Sequence, residues 1–209
     1  MRLPISVILA ISLWAVYAGA QDDSSKLKVS KDALTDEQLA IYRVVLNEYK
    51  KDSHNTLNLS TRTYPLELKE GPFWGEECIK DVTFTDGDDS RPQAIHAFNS
   101  TTTLAPDIVL VDPKKQEAKV RQNDPQKPLK KAIDEGEPLT NEQLDESVKR
   151  AFSTGLFSLS EIIFDAGRHH AIVSYRFVCG ALCGNGATLI LEKVGDTWKV
   201  SRTCAKWIS

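Results

Sequence analysis

Two stretches of the chain repeat apolar residues at helical spacing, and the first lies near the N-terminus. Its apolar positions are Leu39, Tyr42, Val45, Leu46 and Tyr49. This period predicts an amphipathic helix over about residues 35–51. Thr35 is a good N-cap, and Gln38 three positions later completes a capping box, so the start of the helix is well marked.

The second stretch begins with the hexamer LTNEQL at residues 139–144, which resembles LTDEQL at 34–39. Thr140 and Gln143 form the same capping box. The apolar stripe of the predicted helix continues through Leu144, Val148, Ala151 and Phe152. The sequences after the two hexamers differ, so the match indicates shared capping chemistry and not a structural repeat.

The C-terminal third of the chain switches to strand patterns. Four runs follow one another, namely FSLSEIIFD, AIVSYRFVC, ATLILEKV and TWKVSRTCAKWIS, between residues 157 and 209. The separators are too short for a parallel crossover, which needs about a dozen residues. Gly195-Asp196 is typical of a two-residue hairpin turn. We therefore predict a four-strand antiparallel meander.

The middle of the chain has weaker patterns. Three segments are strand candidates: ECIKDVTFTD near residues 77–86, AIHAFN and DIVLVD. Residues 113–138 are rich in lysine and proline and predict a charged surface segment that is partly mobile. Within it, Asp124-Pro125 can start a short helix that Gly136 ends.

These elements together predict an α+β fold for residues 34–209 as a single domain. Two amphipathic helices pack on an antiparallel sheet that ends in the four-strand meander.

The N-terminus has the layout of a secretory signal peptide. Arg2 supplies a positive charge, residues 5–17 are uncharged and apolar, and Ala18-Gly19-Ala20 offers small residues for cleavage. This predicts a signal peptide over residues 1–20 and a flexible segment over 21–33, with an uncleaved N-terminal anchor as the alternative. The mature chain is then periplasmic or extracellular, and no later stretch is apolar enough to span a membrane.

The formal net charge is -3, from 26 basic and 29 acidic residues. A general nucleic-acid-binding surface requires a basic excess, so the balance of charges argues against nucleic acid as a partner. An envelope component or another exported protein is the kind of partner that fits the compartment.

Four cysteines, Cys78, Cys179, Cys183 and Cys204, predict two disulfides in an exported chain. If the second and third strands pair so that apolar residues meet, Cys179 lies opposite Cys183. Residues that face each other in this way are about 4.5–5.5 Å apart at Cα, which suits a disulfide. Extending the ladder from Gly195-Asp196 places Ala187 opposite Cys204, far from both, so Cys204 pairs with Cys78.

The segment CGALCGNG at 179–186 is therefore interpreted as a disulfide-bonded turn. A metal site requires three or four ligands, a redox dithiol usually has two residues between its cysteines at a helix start, and a phosphate loop precedes a helix. None of these patterns is present, and the sequence predicts no cofactor, metal ion or catalytic residue.

One other group of side chains has chemical potential. Arg168, His169 and His170, with Asp165 nearby, could bind an anion or a metal ion, although a solvated turn is the simpler interpretation. Asn58 and Asn99 begin glycosylation sequons, which matter only if the host glycosylates its exported proteins.

The C-terminal region resembles a group of exported bacterial proteins of unassigned activity. The shared pattern is CGxLCGxG, then LEKxGxW, then a final WIS. In this chain it comprises Cys179, Gly180, Leu182, Cys183, Gly184, Leu191, Glu192, Lys193, Trp198, Trp207, Ile208 and Ser209. The resemblance covers about residues 125–209 and, loosely, the helix near 35–51. It implies a periplasmic or secreted setting and no catalytic residue.

Two functions follow as hypotheses. The first is a non-enzymatic exported module, stabilised by disulfides, that binds a small ligand, a wall component or another protein. The alternative is an envelope hydrolase, or a thiol-disulfide oxidoreductase that uses Cys179 and Cys183.

Overall fold

The structure is a computed structural model that describes residues 28–51, 56–66, 82, 94–99, 104–105, 107–136 and 138–209. The predicted signal peptide, Cys78 and, apart from Val82, the strand proposed near 77–86 lie outside these residues. Within them the chain forms helices and a mixed sheet, so the predicted α+β class is confirmed.

The described part of the chain contains four helices. They are α1 (Asp36–Lys50), α2 (Pro113–Gln122), α3 (Gln126–Glu135) and α4 (Asn141–Thr154). Both predicted capping boxes are present: Thr35 and Gln38 start α1, and Thr140 and Gln143 start α4. Gly136 ends α3 in the left-handed conformation, with φ 68°.

Nine strands are described. They are β1 (Lys28–Val29), β2 (Leu57–Ser60), β3 (Ala94–Ile95), β4 (Ile108–Val111), β5 (Leu156–Leu159), β6 (Ile163–Phe164), β7 (His170–Gly180), β8 (Cys183–Val194) and β9 (Thr197–Ile208). The main sheet has the order β4-β2-β5-β7-β8-β9, and β6 also pairs with β7. The small pair β1–β3 is parallel, so Lys28 and Val29, expected in a loose segment, are in a strand.

The predicted meander is confirmed. All of its pairings are antiparallel: β5 and β6 both pair with β7, β7 pairs with β8, and β8 pairs with β9. The prediction of a wholly antiparallel sheet is wrong for the other half. There β2 pairs in parallel with both β4 and β5. Long connections separate these strands along the chain, and such connections permit parallel pairing.

The sheet has two faces that differ in their covering. On the front face, α1 contributes Ile41, Tyr42 and Val45 to the main core. The ring of Tyr49 lies 4.6 Å from that of Phe157 and 5.2 Å from that of Tyr175. The back face bears the alternate residues of each strand, and α2 packs across one end of it.

The structure adds detail to two expectations about the helices. The segment 113–138 contains the expected short helix, α3, and also α2, of which Gln116 and Val120 are buried. The apolar stripe of α4 is only partly in the core. Ala151 is buried, whereas Leu144, Val148 and Phe152 are 40%, 38% and 47% exposed.

Candidate ligand-binding site

A cleft of about 390 Å³ opens between α2 and the back face of the sheet, beside the disulfide-bonded hairpin. It is lined by Glu117, Val120, Arg121, Asp124, Leu156, Ser158, Arg176, Val178, Gly180 and Ala181. Small-molecule sites usually have volumes of about 300–1,000 Å³. Two smaller clefts, of about 300 and 290 Å³, lie along α3 and α4.

The pairing of the strands determines which residues of the sheet lie next to one another at the cleft. Ser158 of β5 lies opposite Arg176 of β7, Arg176 lies opposite Gly186 of β8, and Gly186 lies opposite Trp207 of β9. Directly opposed residues share one face of a sheet. This row therefore runs across the back face from the cleft to the last strand.

The helical side of the cleft carries charges that the fold does not use. Glu117 and Arg121 are exposed on α2, one turn apart. Among the described residues, neither has a hydrogen bond or an ion pair. Because these charges are not neutralised within the described fold, both side chains are available to a ligand.

Asp124 joins the end of α2 to the hairpin tip. One of its carboxylate oxygens, Oδ2, accepts from the Ala181 backbone N–H at 2.9 Å, and Oδ1 accepts from the Gln126 N–H at 3.0 Å. A Cβ on Gly180 would lie 2.9 Å from Asp124 Oδ1 and 2.7 Å from Pro125 Cδ. The position therefore requires glycine, and the tip is held firmly at the mouth of the cleft.

Arg176 is held by an aromatic ring. Its guanidinium carbon lies 4.4 Å from the centroid of the Tyr64 ring. Such a contact helps to orient the guanidinium group of Arg176, which also lines the cleft.

Trp207, at the β9 end of this row, packs over two glycines of β8. A Cβ on Gly186 would lie 2.5 Å from Trp207 Nε1, and one on Gly184 would lie 3.5 Å from the far edge of the ring. The two glycines of the CGNG sequence therefore leave room for the indole against β8. Trp207 is 40% exposed, whereas Trp198 is only 5% exposed.

The predicted Cys179–Cys183 disulfide is present, with a Cα–Cα distance of 5.0 Å. The pairing differs in detail from the expectation. Val178 pairs with Gly184, but Gly180, not Cys179, lies opposite Cys183, so Cys179 is an extra residue in β7. The loop is thus a two-residue turn, Ala181-Leu182, that follows a bulge at Cys179.

The expected pairing of Ala187 with Cys204 is wrong by one residue, since Cys204 lies opposite Thr188. The cause is a register shift in β9, where Arg202 pairs with Ile190 but Val200 pairs with Leu191. Cys204 consequently faces the back of the sheet.

Cys204 is disulfide-bonded. It packs in a small cluster with Leu66 and Val82, two described residues that flank the segment containing Cys78. Cys78 itself lies outside the described residues, so its pairing with Cys204 stays a prediction.

The three weak candidates, Arg168, His169 and His170, do not converge on one site. Arg168 donates to Glu37 Oε2 at 2.6 Å and lies over the Phe164 ring, while the His169 side chain is exposed. His170 Nδ1 lies 3.0 Å from Asp165 Oδ2. The described residues include no group of three or more metal-ligating side chains.

Asp165 organises this turn through its carboxylate. Its Oδ1 accepts from the backbone N–H groups of His169 and His170 at 2.7 and 3.0 Å. Burial alone would raise the pKa of Asp165. These hydrogen bonds and the His170 imidazole outweigh burial and lower the pKa below its usual value. The group is a hydrogen-bonded turn, in agreement with the simpler interpretation.

A second polar cluster, which the sequence does not indicate, surrounds Glu161. This carboxylate is 3% exposed. Its Oε1 accepts from the Thr63 hydroxyl and, at 2.7 Å, from the His96 N–H, while Oε2 lies 2.9 Å from His96 Nδ1. Sequence separations of 65 and 98 residues explain why no local pattern shows it. None of the three residues lines the cleft.

Few features of the sequence predict the cleft. One is the start of α2, because an aspartate N-cap followed by proline, here Asp112-Pro113, is typical of a helix start. The contact of Trp207 with Gly184 and Gly186 cannot be predicted from the sequence, because it depends on the register of β8 and β9.

Comparison with protein-family models, curated proteins and solved structures found no match for this chain. No described helix is long and apolar enough to cross a bilayer.

Proposed function

We propose that the protein is an exported, non-enzymatic module that binds a small ligand in the cleft between α2 and the back face. The observation that carries this proposal is the pair of exposed charges, Glu117 and Arg121, which form no ion pair with any described residue and lie above an apolar floor of Leu156 and Val178. Ligand sites combine such apolar surface with a few convergent polar groups.

Export is part of the proposal. It is supported by the signal-peptide pattern at residues 1–20 and by the disulfide at Cys179–Cys183, which persists mainly in oxidising compartments. A periplasmic or extracellular location agrees with both features.

The alternative of a thiol-disulfide oxidoreductase has less support. Cys179 is 1% exposed and packs in the main core. Redox exchange requires an accessible sulfur in an electropositive setting. Cys183 is partly exposed, but its partner sulfur is shielded, so the bridge is better suited to holding the hairpin.

A hydrolase would require a nucleophile beside a base, and the Glu161–His96 pair is the closest arrangement among the described residues. Both carboxylate oxygens already accept hydrogen bonds from neighbouring segments. The pair therefore fits a structural cross-link better than a catalytic centre.

The test is a binding screen of the exported, purified protein by ligand-observed NMR. The panel contains single amino acids, dipeptides, nucleosides, fatty acids and neutral disaccharides. We expect at least one class to bind, and Arg121→Ala to weaken that binding about 10- to 150-fold, because a hydrogen bond to a charged group is worth about 1.5–3 kcal/mol.

Lys119→Ala is the matched control, because Lys119 is exposed on the same helix and does not line the cleft. It should leave the affinity unchanged. Binding that is equally insensitive to Arg121→Ala and Lys119→Ala, or no binding by any class, would contradict the proposal.

A further inference from the structure

We propose that the ligand is a saccharide and that Trp207 is the platform on which one of its rings stacks. This inference rests on the proposed binding function and extends the site from the cleft to β9. It assigns a ligand-contact role to Trp207 and a supporting role to Gly184 and Gly186.

The first argument is the exposure of a large aromatic ring held in a fixed position. The Trp207 ring lies against the backbone of Gly186, and 40% of the residue is exposed. The chain beyond it is fastened, because the Ser209 N–H donates to the Gly184 carbonyl at 2.9 Å and Ser209 O accepts from the Gly184 N–H at 3.3 Å. An indole held in this way can accept a flat ligand at little entropic cost.

A bulge in β9 contributes to this placement. In a regular strand, residues on the same face are separated by an even number of positions. Cys204 and Trp207 are three positions apart, yet both face the back of the sheet. The extra residue is accommodated near Ala205, which has a φ of 45°. Bulges re-aim side chains in this way and are common beside functional sites.

The second argument is continuity with the cleft. Trp207 is in the same cross-strand row as Arg176, which lines the cleft, and Gly186 is the one residue between them. Strands lie about 4.8 Å apart, so the two Cα positions are separated by about 10 Å. That span suits a ligand of two linked rings, one on the indole and one in the cleft.

The third argument is the chemistry of the lining. Glu117 supplies acceptors and Arg121 supplies donors, and both are exposed at the cleft. A sugar hydroxyl is both donor and acceptor, so it matches this mixed set. The lining has two carboxylates and two guanidinium groups, so it offers a nucleotide phosphate no excess of positive charge. The electron-rich face of an indole attracts the weakly positive C–H groups of a sugar ring.

The test is saturation-transfer NMR and calorimetry on the exported, purified protein with cellobiose, maltose and N,N′-diacetylchitobiose. We expect at least one of them to bind, with the strongest saturation on the C–H protons of one ring. Trp207→Ala should weaken binding about 5- to 100-fold, the range that loss of one ring-stacking contact gives elsewhere. Trp207→Phe should restore most of the affinity.

Ile208→Ala is the matched control. Ile208 is the neighbouring residue and is 79% exposed. It is on the front face, opposite to that of Trp207, because it pairs with Asn185, whose side chain hydrogen-bonds Tyr49 of α1. It should not change the affinity. A melting temperature of Trp207→Ala close to that of the wild type separates loss of contact from loss of fold.

The remaining outcomes distinguish this inference from the proposed function. Binding of a peptide, nucleoside or fatty acid that Arg121→Ala weakens, with no disaccharide bound, would overturn the saccharide assignment and leave the cleft proposal standing. Disaccharide binding that Trp207→Ala does not change would overturn the platform alone. If no class of compound binds, both proposals fail.

Discussion

Glu161 shows how a single charged residue can connect distant parts of the chain. Its two carboxylate oxygens contact Thr63 and His96, so one side chain joins three segments that are far apart in sequence. A buried carboxylate is costly unless its lone pairs are satisfied. Here the hydrogen bonds offset that cost, and the residue becomes a structural cross-link.

Replacing Glu161 by Gln should lower the free energy of unfolding by about 2–4 kcal/mol. The amide cannot accept hydrogen bonds at both positions, so one buried donor loses its partner. Urea denaturation measures the change. Glu135→Gln, in an exposed pair with Lys131, is the control and should cost less than about 0.5 kcal/mol. Equal effects of the two substitutions would contradict this role.

Asp165 gives a prediction for pH. Because its pKa is lower in the folded state than the usual value of about 3.9, the ionised group stabilises the fold above that value. The contribution is lost as pH falls through the folded-state pKa. Asp165→Asn should therefore be less stable than wild type at pH 7, and thermal unfolding should show the difference shrinking below about pH 4. A difference that is constant from pH 7 to pH 3 would exclude this linkage.

At the scale of elements, local chemistry predicts some parts of the fold well and others poorly. The capping boxes of α1 and α4 and the β8–β9 turn at Gly195 involve residues within a few positions, and all three are confirmed. The turn has Gly195 at φ 61°, as its sequence requires. Parallel pairing of β2 with β4 and β5 depends on distant segments, so no local pattern indicates it.

The candidate site depends mainly on such distant relations. α2 is rich in lysine and buries only Gln116 and Val120, so its apolar period is too sparse to predict a packed helix. The sequence identifies the CGALCGNG hairpin and its disulfide, which form one end of the cleft. It does not place Arg176 beside α2 or Trp207 over Gly186, because both depend on strand register across several residues.

The two predicted disulfides should differ in their effect on stability. A Cys78–Cys204 bridge would close a loop of more than about a hundred residues, which the loop-entropy relation values at about 4–5 kcal/mol, whereas Cys179–Cys183 closes a very small one. Cys204→Ser should therefore lower the melting temperature much more than Cys183→Ser. Calorimetry measures both, and peptide mapping without reduction identifies the bridges. A fragment linking Cys78 to Cys179 or Cys183 would refute the pairing.

At the scale of the whole molecule, the mixed sheet has two faces that are covered differently. The front face, covered by α1, holds most of the buried aromatic and aliphatic side chains. On the back face, α2 and the hairpin tip border the cleft, and Ile172, Ile190 and Cys204 belong to a second, smaller core cluster. The main core and the cleft thus lie on opposite sides of one layer of strands.

The short spacing of Cys179 and Cys183 also gives the chain an order of oxidation. Four cysteines can pair in three ways. Segments of about ten residues close within about 10–100 ns, and closure becomes less favourable as the loop lengthens. In an unfolded chain entering an oxidising compartment, these two thiols therefore meet far more often than any other pair. Once they have reacted, Cys78 and Cys204 are the two thiols left in the chain, so early closure of the short loop would favour the predicted second bridge over the two alternative pairings.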